Sequence, residues 1–140
     1  PPRSTLFPYT TLFRSARRID RNLQERLEDI FNKPEFAPDK FNCDVCAKEV
    51  QKTLGNAGIE SRIAKIRFPG TRGLDVYKNG QRIQVSANDT HYFNVTKDDI
   101  VYDALTGPKG MHIDAYMHQF WKPIADIWPS HTIEFVALIP

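Results

Sequence analysis

The hydrophobic period of this chain changes once, near Gly58, and that change restricts the fold more than any other feature. Upstream, apolar residues recur at helical spacing. Ile19, Leu23, Leu27, Ile30 and Phe31 predict a helix over Ala16–Asn32 that Asn32-Lys33-Pro34 ends, leaving Pro34–Asp39 as a proline-punctuated loop. Asn42 is a natural N-cap for a second helix over Cys43–Leu54, with Val45, Ala47, Val50 and Leu54 as its apolar stripe and Gly55-Asn56 as its stop. Downstream the period is two. Ile59–Phe68 reads as a strand, and Leu74–Tyr77 and Arg82–Val85 flank Asn79-Gly80, a strong hairpin signal. Tyr92–Val95 and Ile100–Tyr102 predict a second hairpin around Thr96-Lys97-Asp98-Asp99. A short helix over Asp114–Trp121 and a late, buried strand over Thr132–Ile139 complete the reading. Helices first and a meandering sheet afterwards describe an α+β domain, with N-terminal helices packed on an antiparallel sheet.

At 140 residues the chain has material for one core. Its first fifteen residues carry a doubled Thr-Leu-Phe, at Thr5–Phe7 and Thr11–Phe13, with neither the apolar core nor the cleavage site of a secretory signal. The stretch Thr5–Ser15 resembles the translation of a short-read sequencing adapter, so residues 1–15 are read as non-native and 16–140 as the domain. Without Arg3 and Arg14 that domain holds 17 basic and 17 acidic side chains, and its net charge is zero. No stretch interleaves Lys and Arg with aromatics, so nothing argues for a nucleic-acid partner. No run approaches the ~18 apolar residues of a membrane span. Two cysteines cannot form a disulfide scaffold and favour a reducing setting. A monomer is expected.

Three separated segments carry the chemistry: Phe41-Asn-Cys-Asp-Val-Cys-Ala47, Thr90-His91 and Val101-Tyr-Asp-Ala-Leu105. Cys43 falls in the first turn of a predicted helix, where unpaired N–H groups and the helix dipole favour a thiolate. His91 opens a strand, and Asp103 ends the next strand of the same hairpin, close enough in register to orient the imidazole. Cys46 is a second candidate nucleophile; Cys43 is preferred because it lies nearer the helix start. Zinc would need two more ligands, and His112 and His118 are distant, so no metal and no cofactor are expected. A thioredoxin-like motif would need a preceding strand, which Cys43-Asp44-Val45-Cys46 lacks. Tyr116, Phe120 and Trp121 read as core or groove wall. His112, His118 and His131 read as structural or surface histidines, Asp98-Asp99 as a solvated turn, and Gly107–Gly110 as a turn.

The segments FNCDVCAKEVQKTLGNAGI, HYFNV and VYDALTGPKG together resemble the papain fold toxin 2 family of bacterial polymorphic toxins, over about Phe41 to Phe120. That family is similar to the cysteine peptidases that trim leader peptides in bacteriocin exporters. The resemblance implies a papain-like fold with Cys43 as nucleophile, His91 as general base and Asp103 as the orienting carboxylate. It also implies a cysteine hydrolase delivered by a bacterial toxin system to the cytoplasm of a target cell. There it would act on a protein substrate and be held in check by a cognate immunity protein. Deamidation or acyl transfer would use the same acyl-enzyme, and a non-catalytic binding module is the alternative of a different class. Three positions depart from the family pattern. Ala37 stands six residues before Cys43, where a Gln usually completes the oxyanion hole, leaving Asn42 and the Cys43 N–H as local donors. Asp103 is followed by Ala104 instead of Asn, and Asp89-Thr90 occupies a stretch where a Gly is common.

Overall fold

The computed structural model describes residues 21–128 and 130–136. The adapter-like segment 1–15 lies outside them, as does the start of the first predicted helix. Helix α1 (residues 21–31) buries Leu23, Leu27 and Ile30 at three- and four-residue intervals against Cys46, Val50 and Leu54 of α2 (Cys43–Asn56). Two short 3-10 turns, Pro34–Phe36 and Pro38–Lys40, fill the proline-punctuated stretch between them, and Phe36 is driven into the same apolar cluster.

Helix α2 departs from its expected stripe. Val45 is 49% exposed and Cys46 takes its place in the core, because the buried positions 46, 47, 50 and 54 define a face centred about 155° away from Val45. The helix runs two residues beyond Leu54. It closes when Gly58 adopts a left-handed conformation (φ +80°) and the Ile59 N–H bonds back to the Leu54 carbonyl at 2.9 Å, the Schellman pattern that glycine permits without a Cβ clash.

The main sheet is antiparallel, in the order β6-β5-β4-β1-β7. Its strands are β1 (Ser61–Arg67), β4 (Thr90–Thr96), β5 (Ile100–Tyr102), β6 (Met111–His112) and β7 (Thr132–Val136). A separate two-stranded ribbon, β2 (Leu74–Lys78) and β3 (Gln81–Ser86), turns at Asn79-Gly80. Both turn residues have positive φ, 51° and 77°, the signature of the primed turns that suit hairpin twist. One face of the main sheet carries Ala64, Ile66, Phe93, Val95 and Val101 into a core with Tyr116, Phe120 and Trp121. Helix α2 packs against β4 and β1. The protein is therefore an α+β fold of helices and an antiparallel sheet.

Two later elements differ from expectation. The predicted helix Asp114–Trp121 begins one residue earlier as α3 (Ile113–Tyr116). It widens into a π-helical turn over Met117–Trp121 and continues as α4 (Lys122–Ala125). Residues four and five apart then share one side, so Tyr116, Phe120 and Trp121 are all buried together. The late strand is not buried where it is described. β7 pairs with β1 at the edge of the sheet, and Ile133 and Phe135 are 42% and 50% exposed, with the Arg62 guanidinium 3.7 Å above the Phe135 ring. Being apolar was sufficient for strand formation but not for a central place. Residues 137–140 of that expectation lie outside the described residues.

Candidate active site

The β4–β5 hairpin sets the register of the site. Asn94 opposes Tyr102 and Val95 opposes Val101. Continuing that register places Asp103 opposite Phe93, hence diagonal to His91 on the same face, within reach of a long polar pair. His91 Nε2 lies 3.0 Å from Asp103 Oδ2, with the two side chains only 5% and 7% exposed. The loop before β4 is itself tied down. Asn88 Oδ1 accepts from the Ser86 hydroxyl at 2.8 Å and the Thr90 N–H at 2.9 Å, and Asp89, where a Gly was looked for, is paired with Arg67 at 3.1 Å.

Asp103 is held from several sides. Its Oδ1 accepts the backbone N–H groups of Leu105 and Thr106, each at 3.0 Å, the turn geometry in which an aspartate caps its own chain. Its Oδ2 accepts the Tyr116 hydroxyl at 2.6 Å in addition to His91. Both carboxylate oxygens of Asp103 are thus engaged by hydrogen bonds. With His91 Nε2–H directed to Asp103, Nδ1 is the ring nitrogen left over; it is buried and makes no conventional hydrogen bond. The Trp121 ring packs on the imidazole, centroids 5.3 Å apart.

Cys43 supplies the remaining partner. It is the first residue of α2, half-buried, and the packing of α2 on β4 brings that helix start to His91. Burial alone would push its thiol up. The nearby His91 and its charge, with the Tyr92 backbone N–H, outweigh burial and hold Cys43 below the ordinary thiol value. Burial likewise opposes the charged imidazole, yet the bond to Asp103 and the negative charges of Cys43 and Asp103 prevail and raise His91 to about 10. Cys46, one turn further on, is pushed up to about 12, by burial first and then by the negative charges of Asp103 and Cys43. The two cysteines, equivalent in spacing, are opposite in character.

Cys43, His91 and Asp103 line one small pocket of about 20 Å³, together with Ala37 and Asn42. Ala37 offers no side-chain donor. Asn42 occupies the N-cap position without capping: its side-chain N–H donates to the Glu35 carbonyl at 2.8 Å instead. Asn42 therefore supplies no side-chain acceptor to the first-turn N–H groups of α2, and those groups are the donors nearest Cys43 in sequence. Among the described residues no group of three or more His, Cys, Asp or Glu side chains is placed to hold a metal ion.

The other histidines stand apart from this cluster. His112 caps α3 by accepting the Asp114 N–H at 3.2 Å, and His131 packs on Phe68. Sequence reasoning treated Tyr116 as wall and missed its polar end. The available signal was a lone hydroxyl in a helix otherwise offering Phe120 and Trp121 to the core. No family model, no curated protein and no solved structure matches the chain.

Proposed function

We propose that this protein is a papain-like cysteine hydrolase that cleaves peptide bonds of target-cell proteins as the effector domain of a bacterial toxin. The observation that carries the reading is one pocket lined by the helix-start Cys43, His91 and Asp103, with His91 Nε2 3.0 Å from Asp103 Oδ2. In this mechanism the Cys43 proton resides on His91 Nδ1, and Asp103 stabilises the resulting imidazolium and keeps the ring oriented. The thiolate attacks the substrate carbonyl carbon, forming the S–C bond, and the carbonyl electron pair moves to oxygen. First-turn N–H groups of α2 receive that oxyanion in place of the side-chain amide that Ala37 lacks. The C–N bond then breaks as His91 gives its proton to the leaving amine. Water then gives a proton to His91 as its oxygen attacks the acyl carbon; the S–C bond breaks, releasing the acid and restoring the Cys43 thiolate beside protonated His91.

The toxin setting rests on the sequence resemblance, as does a cognate immunity protein that would block the cleft. Deamidation and acyl transfer share the first half of this sequence and differ only in the group that leaves or accepts. Expression of the full chain in a bacterial cytoplasm, with Cys43→Ala as control, tests the reading. New protein N-termini that depend on Cys43 are expected. Equal growth and identical termini in both strains would overturn it, and Gln or Asn mass shifts without new termini would move it to deamidation.

A further inference from the structure

We infer that Tyr116 is a positioning residue of this site: its buried hydroxyl shares Asp103 Oδ2 with His91 and thereby sets both the carboxylate's orientation and the strength of its hold on the imidazole. The inference rests on the cysteine-hydrolase reading and adds to it a member outside the three residues.

The geometry separates this hydroxyl from an ordinary satisfied core tyrosine. Tyr116 has no exposure, and its phenol O–H reaches Oδ2 at 2.6 Å, shorter than the 3.0 Å of the His91 contact to the same oxygen. The other oxygen, Oδ1, is already occupied by the Leu105 and Thr106 N–H groups. Each donor to a carboxylate withdraws charge from it and weakens it as an acceptor for the next. Tyr116 therefore competes with His91 while fixing the oxygen that His91 uses. Its ring is clamped between Phe93 and Phe120, with centroids at 5.0 and 5.7 Å, so the hydroxyl has one direction to point. Burial and the neighbouring Asp103 charge hold the phenol protonated, well above its ordinary range, so it acts as a donor throughout the working pH range.

The charged and titratable groups bearing on this unit come from several elements. From α2 they are Cys43, Asp44, Cys46 and Glu49, with Lys33 before it; Tyr92 of β4 and Tyr102 of β5 line the same pocket, Asp103 follows β5, and α3 brings Tyr116 itself. None of the α2 groups donates to Asp103 in the hydrogen bonds described, so removal of the Tyr116 hydroxyl is felt mainly along the Asp103–His91 line.

The test is the titration of His91 by NMR in the full-length protein, in wild type, Tyr116→Phe and Asp103→Asn. Tyr116→Phe keeps the ring and is expected to raise the His91 titration by about half a unit or more, roughly a threefold gain in proton affinity. Site-specific 3-fluorotyrosine at position 116 keeps the bond and strengthens the donor. It is expected to shift His91 the other way, and it serves if the Phe variant does not fold. A wild-type His91 titrating well above 6.5 and falling in Asp103→Asn, but unmoved by either change at position 116, overturns the assignment of Tyr116 alone. A wild-type His91 titrating at its ordinary value overturns the underlying site as well.

Discussion

His91 Nε2 and Asp103 Oδ2 lie 3.0 Å apart, twelve residues distant in sequence and almost wholly removed from water. A buried carboxylate facing a buried imidazole is stable only if other donors share the anion, and Leu105, Thr106 and Tyr116 provide them. The arrangement leaves Nδ1 as the ring nitrogen that Asp103 does not engage, on the wall of the pocket that Cys43 also lines, and most of the following outcomes depend on it.

Replacing Asp103 separates orientation from charge. Asp103→Asn keeps the volume but removes the anion that sustains the imidazolium, so the Cys43 thiolate population at pH 6.5 falls. A loss of activity of about 10³–10⁴-fold is expected, by analogy with the corresponding change in a serine-protease triad. Asp103→Ala additionally orphans several buried donors and costs about 3–5 kcal/mol of stability. Urea unfolding and toxicity assays of both variants check the split: Asn stable but inactive, Ala unstable.

The pH dependence of stability follows from two opposed shifts. His91 is raised in the folded state, so its contribution is full below its unfolded value of ~6.5 and is lost as pH rises through about 10. Cys43 is lowered, so its contribution is present above the unfolded thiol value of ~8.5 and lost as pH falls through its folded value. Between roughly 6.5 and 8.5, wherever the folded Cys43 is ionised, the thiolate–imidazolium pair binds as many protons as the unfolded neutral pair, and these groups leave stability flat. Above that window stability declines, and the raised Cys46 adds to the decline with the same sign. Cys43→Ala abolishes the compensation, so its stability falls from about pH 6.5 upward at up to ~1.4 kcal/mol per pH unit. Denaturant titrations at half-unit pH steps distinguish a wild-type plateau from a sloping variant; parallel curves would contradict the pairing.

Gly110 is a structural dependency of the site. Its φ is +69°, and an added Cβ would sit 2.7 Å from Ile100 Cγ2 and 2.8 Å from the Tyr102 ring, on the strand just before Asp103. Left-handed strain and overpacking together predict that Gly110→Ala destabilises by about 2–4 kcal/mol. Thermal unfolding measures it, and a change under 1 kcal/mol would show that β5 and β6 yield more easily than the close contacts imply.

Much of this site could be read in the chain because its parts obey local rules. Cys43 begins a helix that its flanking residues predict. Asn79-Gly80 makes the ribbon turn it specifies, and the spacing of His91 and Asp103 across one hairpin is arithmetic in a period of two. What could not be read depends on long-range packing. Val45 and Cys46 both satisfy a loose helical stripe, and only contact with α1 decides which is buried. Tyr116 reaches Asp103 from the last residue of α3, just before a π-helical turn that no hydrophobic pattern encodes, and Asn42 gives up its cap to the Glu35 carbonyl because the loop folds back on it. The edge position of β7 likewise depends on which strand pairs with β1, not on its composition.

The contrast between the two cysteines offers the sharpest test. At pH 7 a thiol held near 12 is ionised on the order of once in 10⁵ molecules, whereas Cys43 beside His91 is held low. The decisive measurement is the rate of iodoacetamide alkylation at each cysteine of the folded protein, read by peptide mass spectrometry, in wild type and His91→Ala. Cys43 is expected to react at least 100-fold faster than Cys46 in wild type and to lose most of that advantage in His91→Ala. Equal rates, faster modification of Cys46, or a Cys43 rate indifferent to His91 would contradict the account.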